Sequence, residues 1–161
     1  MTANSFDLSG KVALISGSSG GLGAHFARLL AGAGAQVVMA APRMEQLEEQ
    51  AAGIAADGNS CTTITLDVAD APSIAAIAPI LGNVDILVNN AGTVPQSIAL
   101  DHTEADWDAV MDTNLKGMFL LAQATGADCG GHSLPRSTRA SYISGAILNV
   151  DGGVASRVTD Y

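Results

Sequence analysis

Short apolar runs alternate with segments of helical periodicity over the first 124 residues. The runs are four or five residues long and stop at glycine or polar residues, as buried parallel strands do. They predict strands at 12–15, 36–40, 62–66 and 84–88. Between them, apolar residues at three- and four-residue spacing predict helices at 21–33, 44–56, 72–80 and 103–123. Strand and helix alternate four times, which predicts an α/β fold with a doubly wound parallel sheet.

The regular alternation ends after Ala124. Residues 126–138 contain three glycines, one proline and little apolar periodicity, and therefore predict a loop. One more strand is predicted at 146–150, in front of an Asp-Gly-Gly turn. We expect one domain over 1–161, with about five strands and an irregular join at about 125–140. A right-handed crossover would deliver the strand at 146–150 parallel to the one at 84–88.

Composition and charge exclude several classes of function. Apolar residues make up 48% of the 161 residues and charged residues 14%, which suits one compact domain. Seven Lys and Arg face 16 Asp and Glu, for a net charge of −9, and no stretch is basic enough to follow a nucleic-acid backbone. Cys61 and Cys129 lie far apart with no metal-ligand spacing, which favours no metal and a reducing cytoplasm. No run approaches the ~18 apolar residues of a membrane span, so no membrane partner is expected.

A glycine-rich loop, Ser16-Gly17-Ser18-Ser19-Gly20-Gly21-Leu22-Gly23, joins the first predicted strand to the first helix. In such a position, the pyrophosphate of a dinucleotide meets the N-terminus of the helix. A sharp turn at Gly17, close backbone approach at Gly21 and packing of the helix on the sheet at Gly23 would each exclude a β-carbon. The alternative interpretation is a tight turn that binds nothing.

The spacing of these glycines resembles the Thr-Gly-x-x-x-Gly-x-Gly signature of the short-chain dehydrogenase/reductase family, with Ser16 in place of Thr. Further matches follow in order: Leu66-Asp67-Val68, Asn89-Asn90-Ala91-Gly92, Asn114 with Gly117, and 146–153, which resembles the last strand of that family. The resemblance covers residues 8–124 and about 140–154. It implies a Rossmann-like fold and hydride transfer between a nicotinamide dinucleotide and a secondary alcohol or ketone.

The resemblance also implies a set of cofactor-binding residues. They are Gly17, Ser18, Ser19, Gly21, Leu22 and Gly23 in the loop, Asp67 and Val68 beside the adenine, and Asn89, Ala91 and Gly92 on the adenosine side. All of them follow the carboxyl ends of predicted strands, where open α/β sheets bind ligands. A turn-forming carboxylate is the alternative for Asp67, and an Asx turn is the alternative for Asn89 and Asn90.

The choice between NAD and NADP depends on the end of the second strand. An acidic residue there would bind the ribose 2′-hydroxyl of NAD, and a nearby Arg would accommodate the 2′-phosphate of NADP. Ala40-Ala41-Pro42-Arg43 has no acid, and Arg43 favours NADP slightly. Gly20 weakens that preference, because NADP-using relatives often have a basic residue there. Arg43 could equally be an ordinary surface charge.

Most of the proton-transfer residues of the family are not found. The family uses a Tyr with a Lys four residues later, a Ser and an Asn, and only the Asn is matched, as the candidate catalytic residue Asn114. Tyr142 is followed four positions later by Ala146, and the lysines are Lys11 and Lys116. No predicted strand delivers a serine. A buried Asn satisfied by the backbone is the alternative for Asn114.

These gaps predict a chain that binds the cofactor with little or no turnover, as an internal deletion in a reductase would produce. A nucleotide-binding pseudoenzyme or interaction module is the alternative. The helix at 103–123 is apolar on more than one side, with Leu120 and Leu121 off the stripe of Met111, Met118 and Phe119. Since the family packs this helix against a partner subunit, a homo-oligomer through it is plausible.

Overall fold

A computed structural model describes residues 7–82, 84–95 and 98–125. These residues form a four-stranded parallel sheet with strand order β3-β2-β1-β4. The strands are β1 (Val12–Ser16), β2 (Gln36–Ala41), β3 (Cys61–Thr65) and β4 (Ile86–Val88). The chain moves outward from β1 to β3 and then returns to the other side of β1. The strand order therefore reverses between β1 and β4, which is where doubly wound sheets open a crevice.

The described residues include five α-helices. They are α1 (Gly21–Gly32), α2 (Met44–Ala56), α3 (Ala71–Leu81), α4 (Glu104–Met111) and α5 (Met118–Ala124). A π-helical segment, Asp112–Gly117, joins α4 to α5, and a 3-10 turn at Ala99–Asp101 precedes α4. Among the described residues, no helix combines the length and the apolar content that crossing a bilayer would require.

Successive residues of β1 point to opposite faces of the sheet and enter two separate cores. Ala13 and Ile15 pack with Ala27 of α1 and Leu47 of α2. Leu14 packs on the other face with Ile77 and Leu121, which belong to α3 and α5. Because both faces are covered, β1 is apolar without interruption rather than alternating.

The predicted α/β class and doubly wound parallel sheet are confirmed. Most elements begin and end within one residue of their predicted limits, and α2 has the limits predicted. The strand predicted at 84–88 is shorter, because β4 begins only at Ile86. Asp85 instead holds β1 with its side chain: Oδ1 accepts a hydrogen bond from Lys11 Nζ at 2.7 Å, and Oδ2 accepts one from Val12 N at 2.9 Å.

The helix predicted at 103–123 differs more, because the π-helical segment interrupts it. Its start is as expected from the sequence, with Thr103 as the N-cap of α4, where Thr103 Oγ1 accepts a hydrogen bond from Asp106 N at 3.2 Å. Gly117, at the end of the π-helical segment, lies against the backbone of Val68, where a β-carbon would contact the Val68 carbonyl oxygen. Beyond it, Leu121 is fully buried, whereas Phe119 is 60% exposed.

Several predictions concern residues outside the described ranges. They are the loop at 126–138, the irregular join, the strand at 146–150 with its place beside β4, and the interpretation of Tyr142. Within the described residues, β4 pairs with β1 alone.

Candidate functional site

A crevice of about 780 Å³ opens at the carboxyl ends of the strands. Gly17, Ser19 and Gly20 line it from the glycine loop, and Arg43, Gln46 and Glu49 line it from the start of α2. The segments that follow β3 and β4 complete the walls. Apart from Thr113 of the π-helical segment, the lining residues belong to strand ends or to the segments that follow them, so the crevice lies where the reversal of strand order predicts a ligand.

Two of the loop glycines are required by close packing. Gly17 has φ of +65°, and a β-carbon on it would lie 2.7 Å from Ala91 Cα. A β-carbon on Gly23 would contact the Gly17 carbonyl oxygen and lie 2.6 Å from Asn90 Nδ2. Gly23 thus has no room for a side chain, as expected, and the atoms that exclude one belong to the glycine loop and to Asn90.

The side-chain amide of Asn90 ties this loop to the segment after β4. Asn90 Nδ2 donates hydrogen bonds to the carbonyl oxygens of Ser16 at 3.1 Å and Gly17 at 3.0 Å. The backbone N–H groups of Asn90 and Ala91 donate to Ser16 Oγ, each at 3.1 Å. The Nδ2 group of Asn90 therefore bonds the neighbouring loop rather than its own turn. These four bonds make the two loops one structural unit.

Asn89 points away from the crevice, toward the junction of the π-helical segment and α5. Its Nδ2 donates to the Met118 carbonyl oxygen at 3.3 Å. Its Oδ1 is buried and has no hydrogen-bond partner among the described residues. Asn89 therefore braces the helix rather than lining the adenosine side.

Several other predicted cofactor-binding residues of the loop do not line the crevice. Ser18 is fully buried, where its Oγ donates to the Ile15 carbonyl oxygen at 3.0 Å and accepts from Ala40 N at 2.9 Å. Leu22 is 48% exposed and, with Gly21 and Gly23, does not line the crevice. The predicted residues that do line it are Gly17, Ser19, Arg43, Asp67, Val68, Ala91 and Gly92.

The N-terminus of α1 gives the crevice a positive pole. Its N-cap, Gly20, lines the crevice and has no side chain to bond the first N–H groups of the helix. The first turn also contains no acidic residue. Unpaired N–H groups and the helix dipole attract anions, so this end suits a phosphate.

Asp67 makes the turn-forming contact and also lines the crevice. Its Oδ1 accepts a hydrogen bond from Ala69 N at 2.9 Å, which is the turn-forming contact. Asp67 nevertheless lines the crevice, and among the described residues no hydrogen bond occupies its Oδ2. One carboxylate oxygen thus holds the turn while the other is available to a ligand.

Asn114 lies on the π-helical segment and pairs with the loop after β4. Its Oδ1 accepts from Thr93 N at 2.7 Å, and its Nδ2 donates to the Thr93 carbonyl oxygen at 2.8 Å. The alternative of a buried Asn satisfied by the backbone matches its partners but not its surroundings, since Asn114 is only half-buried. An amide has two donors and two lone pairs, so one of each is left over. Its neighbour Thr113 lines the crevice, and π-helical turns often occur at functional sites.

The predicted cofactor-binding set lacks several residues of the crevice, of which Gln46, Glu49, Asn90 and Thr113 carry polar side chains. The signal for the first two was present, because Arg43, Gln46 and Glu49 are spaced by three residues and such positions share a helix face. In the described part of the chain, no group of three His, Cys, Asp or Glu side chains could hold a metal.

Comparison with known proteins identifies the class. Residues 11–129 match the family described as short chain dehydrogenase, and the chain belongs to that family. It is 35% identical over 149 residues to a gluconate 5-dehydrogenase of Gluconobacter oxydans, covering 90% of this chain and 54% of the relative. It is 38% identical over 125 residues to a D-threitol dehydrogenase of Mycolicibacterium smegmatis, covering 75% and 48%. The chain thus spans about half the length of these relatives.

Solved structures agree with this assignment. A putative short-chain alcohol dehydrogenase from Sinorhizobium meliloti superposes with a TM-score of 0.71 and 42% identity, over 77% of this chain and 51% of that one. A metagenomic short-chain oxidoreductase in complex with NADP gives a TM-score of 0.68 and 38% identity, over 73% and 55%.

Proposed function

We propose that this chain binds a nicotinamide dinucleotide, NADP slightly in preference to NAD, in the crevice at the carboxyl ends of its strands. The observation that carries the proposal is the glycine loop, whose packing against Ala91 and Asn90 leaves the N-terminus of α1 facing the crevice without a capping side chain. The NADP complex of a structural relative supports the choice of ligand.

Different regions of the crevice fit the pyrophosphate, the adenosine and the nicotinamide of a dinucleotide. The pyrophosphate fits the first N–H groups of α1, because they are unpaired and positively polarised. The adenosine fits the β2 and β3 side, where Asp67 can accept a hydrogen bond and Arg43 can meet a 2′-phosphate. The nicotinamide fits the β4 side, near Ala91, Gly92 and Asn114.

The reaction class proposed is hydride transfer to or from a ketone or secondary alcohol. A bound nicotinamide supplies or accepts the hydride, and the protein must supply a proton at the substrate oxygen. A positioned acid or base contributes about 10²–10⁴-fold to such a step. In the 161 residues no tyrosine is followed four positions later by lysine. We therefore expect this chain by itself to bind the dinucleotide with little or no turnover.

Titration by NADPH and NADH fluorescence tests the binding. We expect saturable binding of both, NADPH being the tighter, and expect Arg43→Ala to remove the NADPH preference. Arg28→Ala is the matched control, because Arg28 is exposed on α1, bonds Gln50 at 2.7 Å and lies outside the crevice. No binding of either nucleotide at millimolar concentration would refute the proposal. NADPH oxidation with a panel of ketones, at rates normal for dehydrogenases, would refute the expected lack of turnover.

We also propose a homo-oligomer, formed through the region predicted as one helix at 103–123. Trp107, Leu115 and Phe119 are each at least 60% exposed along α4, the π-helical segment and α5, and burial of such side chains drives association. A cytoplasmic location stays a prediction.

A further inference from the structure

We propose that Glu49 opposes Arg43 at the adenosine end of the crevice and so keeps the preference for NADP small. This inference rests on the proposed function and names a specificity residue for the same site. It concerns the part of a nicotinamide dinucleotide in which the two forms differ, a 2′-phosphate against a 2′-hydroxyl.

The argument starts from the spacing along α2. Arg43 is the N-cap of α2, and Gln46 and Glu49 follow at intervals of three residues. All three line the crevice. The wall therefore presents a cation, a neutral amide and an anion in order from the helix start.

The charges of the crevice make the effect of Glu49 specific. Among the described residues, Arg43 is the one cation that lines it, while Glu49 and Asp67 are the anions. Arg43 and the one carboxylate on its own helix wall would act on a 2′-phosphate with opposite signs. A 2′-hydroxyl carries no charge for either side chain to attract or repel, and Gln in place of Glu49 keeps an oxygen that can accept a hydrogen bond from it. The pyrophosphate is common to both nucleotides, so its contacts cancel in the ratio of their affinities.

The helix also provides a matched control. Glu48 precedes Glu49, is exposed and lies outside the crevice lining. Removing either carboxylate changes the net charge of the protein by the same amount. A difference between the two variants therefore reports position in the crevice rather than overall charge.

The test measures the dissociation constants of NADPH and NADH for the wild type, Glu49→Gln and Glu48→Gln. Because Glu49→Gln removes the Coulomb repulsion between Glu49 and the 2′-phosphate across a water-filled crevice, we expect it to tighten NADPH about fivefold and to change NADH less than about twofold. Glu48→Gln should change neither beyond about twofold. Glu49→Lys should shift the ratio further in the same direction, and added salt should reduce the shift. Circular dichroism checks that each variant is folded.

Two results would overturn the inference alone. One is an equal gain in NADPH affinity for Glu49→Gln and Glu48→Gln, which would indicate a general charge effect. The other is an NADPH to NADH ratio that Glu49→Gln leaves unchanged while both nucleotides still bind. If the wild type binds neither nucleotide, the proposed function fails, and this inference fails with it.

Discussion

The side-chain amide of Asn90 lies where a β-carbon on Gly23 would stand, so these two residues depend on each other. The pattern of glycines in the sequence indicated a nucleotide loop, and it correctly marked Gly17 and Gly23 as positions without room for a side chain. It could not indicate that Asn90 is the neighbour that fills the space. Asn90 is more than sixty positions away along the chain, and only the fold brings it to the loop.

At this scale we predict the effect of Gly23→Ala. The new methyl group would displace either the Asn90 amide or the Gly17 carbonyl, and such overpacking costs about 1–3 kcal/mol of unfolding free energy. Because the loop also shapes the crevice, NADPH affinity should fall at least about tenfold, by an equivalent ~1.4 kcal/mol. Urea denaturation and nucleotide titration measure the two effects.

Gly32→Ala is the control on the same helix. A β-carbon on Gly32 meets nothing within 4 Å, and Ala is the better helix former. It should leave binding unchanged and stability equal or slightly higher. If Gly23→Ala binds NADPH as the wild type does, the close packing described for the loop is wrong.

At the scale of elements, the N-terminus of α4 was predictable because its signal is local. Thr103 and Asp106 form a capping box: Thr103 Oγ1 accepts from Asp106 N, and Asp106 Oδ2 accepts from Thr103 N at 2.9 Å. The hydrogen bonds that Asp106 Oδ2 accepts, first from the backbone N–H of Thr103 and then from its hydroxyl, hold the pKa of Asp106 below its usual range. The π-helical segment that follows was not predictable, because it depends on contacts with Thr93 and Val68 in distant loops.

Replacement of Thr103 tests the cap. Thr103→Ala removes the hydroxyl acceptor and should lower the unfolding free energy by about 1 kcal/mol. Thr103→Ser keeps the acceptor and should recover most of that loss. Urea denaturation of the three proteins measures it, and equal stability of the Ala and Ser variants would contradict a capping role.

At the scale of the whole molecule, Asp85 joins the start of β4 to the start of β1. Its carboxylate bonds Lys11 Nζ and Val12 N, and its own N–H donates to the Val12 carbonyl oxygen at 2.9 Å. The hydrogen bond from Lys11, followed by that from Val12, lowers the pKa of Asp85 from its ordinary value of 3.8. A lowered pKa means that the charged form is the more stable in the folded state. The contribution is present above the ordinary pKa and is lost as the pH falls through the lower, folded value.

Asp85→Asn should therefore destabilise the protein at pH 7 by up to about 1 kcal/mol, since the ion pair is partly exposed. The difference from the wild type should shrink as the pH falls below 3.8, where Asp85 becomes protonated in the unfolded chain, and should be gone once the pH is below the lower pKa of the folded protein. Denaturation at several pH values measures this.

Asp112→Asn is the comparison, because Asp112 and Lys116 form an exposed i,i+4 pair at 3.1 Å. Such pairs contribute only about 0.2–0.5 kcal/mol. A stability loss for Asp85→Asn that is independent of pH would contradict the role assigned to its charge.

The sequence by itself determined the α/β class, the order and approximate limits of the described helices and strands, and the position of the glycine loop. These features depend on residues close together in the chain, since periodicity, caps and turns are local. Only the tertiary structure decided which loop residues line the crevice, that Ser18 turns inward, that Gln46 and Glu49 join the wall, and that Asn114 bonds Thr93. Those outcomes depend on how segments distant in sequence pack together. The spacing of residues along the chain does not determine the distances between such segments in the folded protein.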